Sequence, residues 1–329
     1  AMDAKGTRRL DAAMGVCGTN PGLAAELAKN MVAWYRKNNP SNLVEKQVLS
    51  IGHGDGWTPC LCKDCAALSE AEESETAPFI LMMNRALEIA RREVPDAQII
   101  TDAYFGSLMP PKTIKLNDGL WIDCTCGSIA VAQAGDQINE IVGTPANRWY
   151  RKALEGWAKL GDGRVTTYQW TDPLNAFYSE WPNFFSRCND IRYISSLGVA
   201  GCLAEHLTNP NWSCWARDYV WLSLMWNPQE DERQLFTRWI TAYYGPKAAP
   251  ILMRYVDYVE QVRKDAKFGT PTVRWSNYPR YMTDKLFDRA TCERMDAILD
   301  EAVAGGHEFE YPVFWGCDLA TEHERFLTE

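Results

Sequence analysis

The chain has 329 residues, 46% hydrophobic and 23% charged, a balance that excludes disordered and collagen-like classes. Its net charge of -9 argues against nucleic-acid binding, which needs a basic surface to neutralise phosphate, and favours a neutral small molecule or sugar. No apolar run reaches the ~18 residues needed to span a bilayer, and Ala1-Met2-Asp3 lacks the basic-then-apolar start of a signal peptide.

In chain order, a first strand is expected at Leu10–Cys17. Asn20 then caps a helix whose first position is Pro21, where a missing N–H costs nothing. That helix places Leu23, Leu27, Met31 and Trp34 on one face. A strand follows at Lys46–Ile51. A helix from about Ala77 to Glu93 carries Phe79, Met83, Leu87 and Ala90 at helical spacing. Strands at Gln98–Tyr104 and Leu120–Thr125 precede a helix at about Ala146–Leu160 with Trp149, Ala153 and Trp157. Strands at Val165–Trp170 and Val199–Ala204 come next. The chain then turns helical at about Ala216–Trp226, Asp231–Tyr244 and Ala248–Asp265. Residues 266–329 read as an irregular, partly helical extension packed on a β/α region at 1–265.

Strand–helix alternation predicts a parallel sheet covered by helices. Open doubly wound sheets and closed eightfold barrels both satisfy it. No Gly-x-Gly-x-x-Gly and no Gly-x-x-x-x-Gly-Lys follows a strand, so nucleotide-binding folds lose their main support. Five or six strands fall short of the eight of a complete barrel. Either strands are missed or the barrel lacks its N-terminal part.

In a barrel, catalytic residues sit at the C-terminal ends of strands. Those ends carry His53-Gly54-Asp55-Gly56-Trp57, Tyr104 to Ser107, Asp123 to Cys126, Tyr168-Gln169-Trp170-Thr171-Asp172, and Glu205-His206. Several are acidic, as glycoside hydrolysis requires: one carboxylic acid protonates the leaving oxygen, and a second carboxylate attacks, activates water or steadies the substrate. Glu205 follows an apolar strand, where desolvation raises a carboxyl toward the range of a working acid. The bland alternative is a helix cap or an arginine partner. Asp172 is the second catalytic candidate, set against an Asx turn before Pro173. Asp55 lies between two glycines, as a simple turn residue also does. Trp57, Tyr104, Gln169, Trp170 and His206 complete the expected substrate-binding set. With 14 Trp and 14 Tyr, most aromatics read as core and the remainder as platforms for sugar rings. No Ser or Cys nucleophile can be tied to a His–acid relay by spacing.

The chain has 11 cysteines, spread along its length. Cys60, Cys62 and Cys65 form the densest group, a Cys-x-Cys-x-x-Cys array that can hold a structural zinc ion if Cys124, Cys126 or His53 supplies a fourth ligand. Free thiols and a local disulfide are the competing readings.

Several ordered segments together resemble a known family. They are Cys17-Gly18-Thr19-Asn20-Pro21, Leu49 to Gly56, the Cys60–Cys65 array, Thr101-Asp102-Ala103-Tyr104, Pro110-Pro111, Trp181-Pro182-Asn183, Leu197 to Gly201, Trp226-Asn227-Pro228 and Tyr243-Tyr244-Gly245. They resemble domain-of-unknown-function family 4838, placed in glycoside hydrolase family 163. The resemblance covers roughly residues 17–260. It implies a (β/α)₈ TIM-like barrel, incomplete here at its N-terminus, and a retaining endo-β-N-acetylglucosaminidase acting on N-glycans without a cofactor. The substrate's 2-acetamido group is then the nucleophile, oriented by an acidic residue, with Glu205 as general acid and Asp55 and Tyr104 at matched positions. It also implies an exported bacterial protein. One departure stands out: where the family shows Trp-Asp-Tyr, this chain reads Tyr168-Gln169-Trp170. That leaves a second reading open, a divergent or inactive carbohydrate-binding protein of the same fold.

Overall fold

The computed structural model describes residues 1–3, 5–8, 15–39, 47–54, 57–125, 140–170, 180, 182–205, 212–265 and 287–304. Among them are five strands and eight α-helices in a mixed α/β fold. The chain forms two compact units. The first combines 1–131, 149–169 and 197–203, and the second combines 132–148, 170–196 and 204–329.

The first unit holds a sheet curled as a half-barrel, with strand order β1 (Leu49–Ser50), β2 (Ile99–Ala103), β3 (Leu120–Thr125), β4 (Val165–Trp170) and β5 (Gly201–Glu205). Pairing is parallel, as in Leu49 with Ile99, Asp102 with Asp123, and Asp123 with Thr166. Parallel neighbours need crossover connections; helices lie between β1 and β2, β3 and β4, and β4 and β5, whereas residues 104–119, with only the 3-10 turn Phe105–Ser107, join β2 to β3. Side chains alternate between the two faces of a strand. On one face Ile99, Thr101, Ala103, Leu120, Ile122, Cys124, Val165 and Thr167 are all buried. The other face carries Ile100, Asp102, Trp121, Asp123, Thr166 and Tyr168, each only partly covered.

Four helices belong to this unit. In α1 (Pro21–Asn38) the Asn20 side chain accepts the Gly22 N–H at 2.9 Å, so the capping expectation holds. The buried stripe is Ala24, Ala28, Met31 and Tyr35. Leu23, Leu27 and Trp34 lie at its flank, because α1 packs against α3 and small residues let the two backbones approach. The short helix α2 (Lys63–Ala71) buries only Cys65. In α3 (Ala77–Ala90) Phe79, Met83, Leu87 and Ala90 are buried as their spacing predicts. In α4 (Arg148–Gly161) Ala153 and Trp157 are buried, and the Trp157 indole N–H donates to the Leu108 carbonyl at 2.7 Å. No strand forms at 15–17, and residues 10–14 of that expected strand lie outside the described residues.

The second unit is helical, with α5 (Ser186–Ser196), α6 (Trp212–Trp226), α7 (Glu232–Asp265) and α8 (Arg289–Ala304) around a core that includes Phe184, Trp221, Phe236, Leu252, Val256 and Ile298. The two helices expected at 231–244 and 248–265 form one element broken at Gly245, whose φ of 81° only glycine adopts readily. Several buried polar groups are paired. Arg187 donates to Asp190 at 2.8 Å, and Glu180 accepts from Ser213 and from the Tyr255 hydroxyl at 3.0 Å. No helix among the described residues is long and apolar enough to cross a membrane.

Candidate active site

A row of residues crosses the partly covered face of the sheet, from Gly52 just after β1 and Asp102 near the C-terminal end of β2, through Asp123 within β3, to Thr166 and Gly201 at the starts of β4 and β5. Asp102 and Asp123 are register partners on neighbouring parallel strands, so both carboxyl groups leave the same face. Thr166, the partner of Asp123 on β4, donates its hydroxyl to Asp123 Oδ1 at 2.8 Å. Gly52, following β1, lies so close that a Cβ there would sit 2.0 Å from Asp102 Oδ2, and a Cβ on Gly201 of β5 would sit 3.6 Å from the Thr166 methyl. The row therefore reads glycine, aspartate, aspartate, threonine, glycine. Only the absence of a side chain at 52 lets the Asp102 carboxyl take its position.

Both carboxyls are held above the usual aspartate range. Burial raises Asp102, opposed by the charge and backbone N–H of His53. Burial raises Asp123 too; the Thr166 hydrogen bond opposes it, and the neighbouring charge of Asp102 adds to it. Burial is the main cause in both, and the Asp102 charge makes ionisation of Asp123 costlier still.

His53 stands beside this row. Its Nε2 meets Ser107 Oγ at 2.5 Å and its Nδ1 faces the Gly54 carbonyl at 3.2 Å. The ring stacks on Trp57 at 5.0 Å and lies parallel to the Tyr104 ring at 6.4 Å. Ser107 is 0% exposed and also accepts the Tyr104 N–H at 3.0 Å. A serine so enclosed fixes the ring of His53 and cannot reach a substrate carbonyl. Trp57, expected among the substrate-binding residues, is 7% exposed and backs His53.

Gln169 also departs from expectation. It shares strand parity with Val165 and Thr167, is 4% exposed, and donates from Nε2 to the Tyr150 hydroxyl at 2.8 Å on the buried face. It therefore points away from the Asp102–Asp123 row and does not stand in for a carboxylate there. Glu205 ends β5 and Trp170 ends β4. Their side chains, together with Asp55, Asp172, His206 and Cys126, lie outside the described residues.

The cysteine array gains a partner the sequence reading did not name. The sulfurs of Cys17, Cys60, Cys62 and Cys65 all lie within 4.8 Å of one another, so the fourth member is Cys17. Cys124 is buried, with the Tyr150 hydroxyl donating to its carbonyl at 3.5 Å, and His53 is engaged with Ser107. For the thiols themselves, burial raises Cys65 to about 12 and pushes Cys17 upward. Burial also acts to raise Cys62, but hydrogen bonds from Cys65, Cys17 and Cys60 outweigh it and hold that thiol at about 7.

The family model described as Domain of unknown function (DUF4838) matches residues 1–257. The chain belongs to this family. Curated proteins similar to parts of this DUF4838 chain are asparagine–tRNA ligases. The enzyme of Bacteroides fragilis is 40% identical over 78 residues, 17% of this chain and 16% of the ligase. That of Phocaeicola vulgatus is 69% identical over 66 residues, 15% and 14% of the two chains. That of Parabacteroides distasonis is 75% identical over 32 residues, 10% and 7%. The DUF4838 chain thus spans less than a fifth of each of these ligases, and overlaps this short describe a segment, not an activity. No solved structure matches the chain.

Proposed function

We propose that this chain is a retaining, substrate-assisted glycoside hydrolase that cleaves β-N-acetylglucosaminyl linkages in glycans, on a barrel of the eightfold kind. The observation that carries the reading is the Asp102–Asp123 pair, two carboxyls with raised proton affinity on the partly open face of a parallel sheet. Hydrolysis through a neighbouring acetamido group needs a carboxylate that accepts the amide N–H and so drives the amide oxygen toward the anomeric carbon. The ionised member of the pair supplies this. Glu205, which ends β5, is the proposed acid. In the first step the acetamido oxygen bonds to the anomeric carbon, the glycosidic C–O bond breaks, and the Glu205 proton passes to the leaving oxygen. In the second step Glu205 takes a proton from water, whose oxygen bonds to the same carbon as the bond from that carbon to the acetamido oxygen breaks, which restores the acetamido group.

The reading is tested by hydrolysis of aryl β-N-acetylglucosaminides and N-glycans. Asp123→Asn and Glu205→Gln should each lower turnover by about 10²- to 10⁴-fold, the usual contribution of a positioned acid or base. Glycan binding without turnover in the wild type would instead assign a non-catalytic receptor, the reading that Gln169 at the family's carboxylate position favours. Wild-type turnover in both variants would move the chemistry elsewhere.

A further inference from the structure

We propose that Cys17, Cys60, Cys62 and Cys65 form a closed tetrathiolate site for one zinc ion, and that this ion fixes the loop carrying His53 and Trp57. A tetrahedral ion with Zn–S bonds of about 2.3 Å sets its sulfurs about 3.8 Å apart. Cys17 Sγ lies 3.7 Å from Cys62 Sγ and 3.8 Å from Cys65 Sγ. The donor set is sulfur alone, which selects zinc or another thiophilic ion over magnesium or calcium. Four protein ligands leave no open position, as in structural rather than catalytic centres.

The surroundings support the ligands. The Met2 N–H donates to Cys60 Sγ at 3.3 Å, and the Thr19 hydroxyl lies 3.2 Å from Cys65 Sγ. Such outer contacts orient ligands in metal centres. Cys62 is the N-cap residue of α2, where the helix dipole favours a thiolate. On binding, each thiol gives up its proton to water and the ion takes four sulfur lone pairs.

The site ties together segments distant in sequence, since Cys17 is 45 residues from Cys62 and 48 from Cys65. Among the described residues the stretch before α2 is tied by the Leu61 N–H to the Met2 carbonyl at 2.9 Å and by the Gly15 N–H to the Thr58 carbonyl at 2.7 Å, and Gly15 lies two residues before Cys17. A Cβ on Gly15 would lie 2.4 Å from the Trp57 indole nitrogen, so this segment presses directly on Trp57. The ion therefore sets the wall against which His53 stacks. The inference stands whether or not that wall meets a glycan.

The test is elemental analysis of the full chain, with zinc release by a thiol-modifying mercurial read on a zinc indicator. One zinc per chain is expected in the wild type and in Cys202→Ser, which alters a thiol outside the cluster, with loss of tight binding in Cys17→Ser. Cobalt substitution of the wild type gives a second readout independent of the folding of Cys17→Ser, thiolate-to-cobalt charge-transfer absorption. Amide hydrogen exchange should rise across residues 57–62 on zinc removal and stay unchanged in α3. Iron as the bound ion, an intact mass showing two disulfides among the four cysteines, or zinc retained by Cys17→Ser would overturn the site. Unchanged exchange across 57–62 would overturn its role in fixing the loop.

Discussion

Replacing Gly52 by alanine isolates the contribution of the Asp102 carboxyl. The added carbon would lie 2.0 Å from Asp102 Oδ2 and 2.9 Å from its Cγ, whereas real Cβ contacts essentially never fall under 3.0 Å. The carboxyl must withdraw by about 1 Å, and a misplacement of that size costs about 10²-fold in rate. Withdrawal also loosens the hydrogen bond from the His53 N–H. A hydrogen bond to a charged group contributes about 1.5 to 3 kcal/mol, and the lower end applies because Asp102 keeps some solvent. Gly54 is the control, since a Cβ there meets nothing within 4 Å. Turnover of an aryl β-N-acetylglucosaminide and urea denaturation should be measured on both variants. Gly52→Ala is expected to lose about 10²-fold in kcat with a stability loss of about 1.5 kcal/mol, and Gly54→Ala to match the wild type. Full activity and stability in Gly52→Ala would show that Asp102 does not act from this position.

Asp123→Asn should lower turnover by about 10²- to 10⁴-fold yet stabilise the fold at pH 7. A carboxyl whose folded pKa is raised contributes stability below its unfolded value and loses it as pH rises through the folded value, so the variant's stability should fall less between acid and neutral pH in urea titrations. Glu72→Gln should act in the opposite sense. Burial raises Glu72, but hydrogen bonds from the Thr113 hydroxyl and the N–H groups of Thr113 (2.6 Å) and Ile114 (3.2 Å) outweigh it and hold the carboxyl below 4.5. Its stabilisation is present above that value and lost as pH falls through the depressed one, so the variant should cost about 1.5 to 3 kcal/mol at pH 7 and show a smaller acid-side decline. Trp157→Ala empties a fully buried site and orphans the Leu108 carbonyl; a loss of about 3 to 5 kcal/mol is expected by urea denaturation.

The strands were legible where both ladders are regular. β3 and β4 begin and end where their apolar and β-branched runs do. β1 is only two residues long, and β5 runs from Gly201 to Glu205, so Glu205 is the last residue of its strand and not the first after it. Helix α2 carries no apolar stripe to read, since it buries only Cys65, and in α5 the short stripe Cys188, Ile191 and Ile194 is interrupted by the buried polar residues Ser186, Arg187 and Asp190, the last two of them paired. Asp123 is legible as a strand acid, and its pairing with Asp102 has a further signal. Aspartate is a poor strand former, and two of them inside otherwise apolar strands mark a site where function outweighs propensity. Cys17 left none, since no local spacing links it to the array that it completes.

The interleaving of the two units bears on the order in which the protein assembles. The sheet of the first unit joins Leu49 to Ile99 and Ile122 to Val165, and the chain departs into the second unit at 132–148 and 170–196 before returning to supply β5. In the second unit α5 packs on α6, α6 on α7 and α7 on α8, each the next described helix along the chain. Sequence-local contacts close with little loss of loop entropy, whereas parallel pairing across long separations is slow. During refolding, pulse-labelled amides of α6 and α7 should gain protection before those of β2 and β3, leaving the aspartate row among the last features to form.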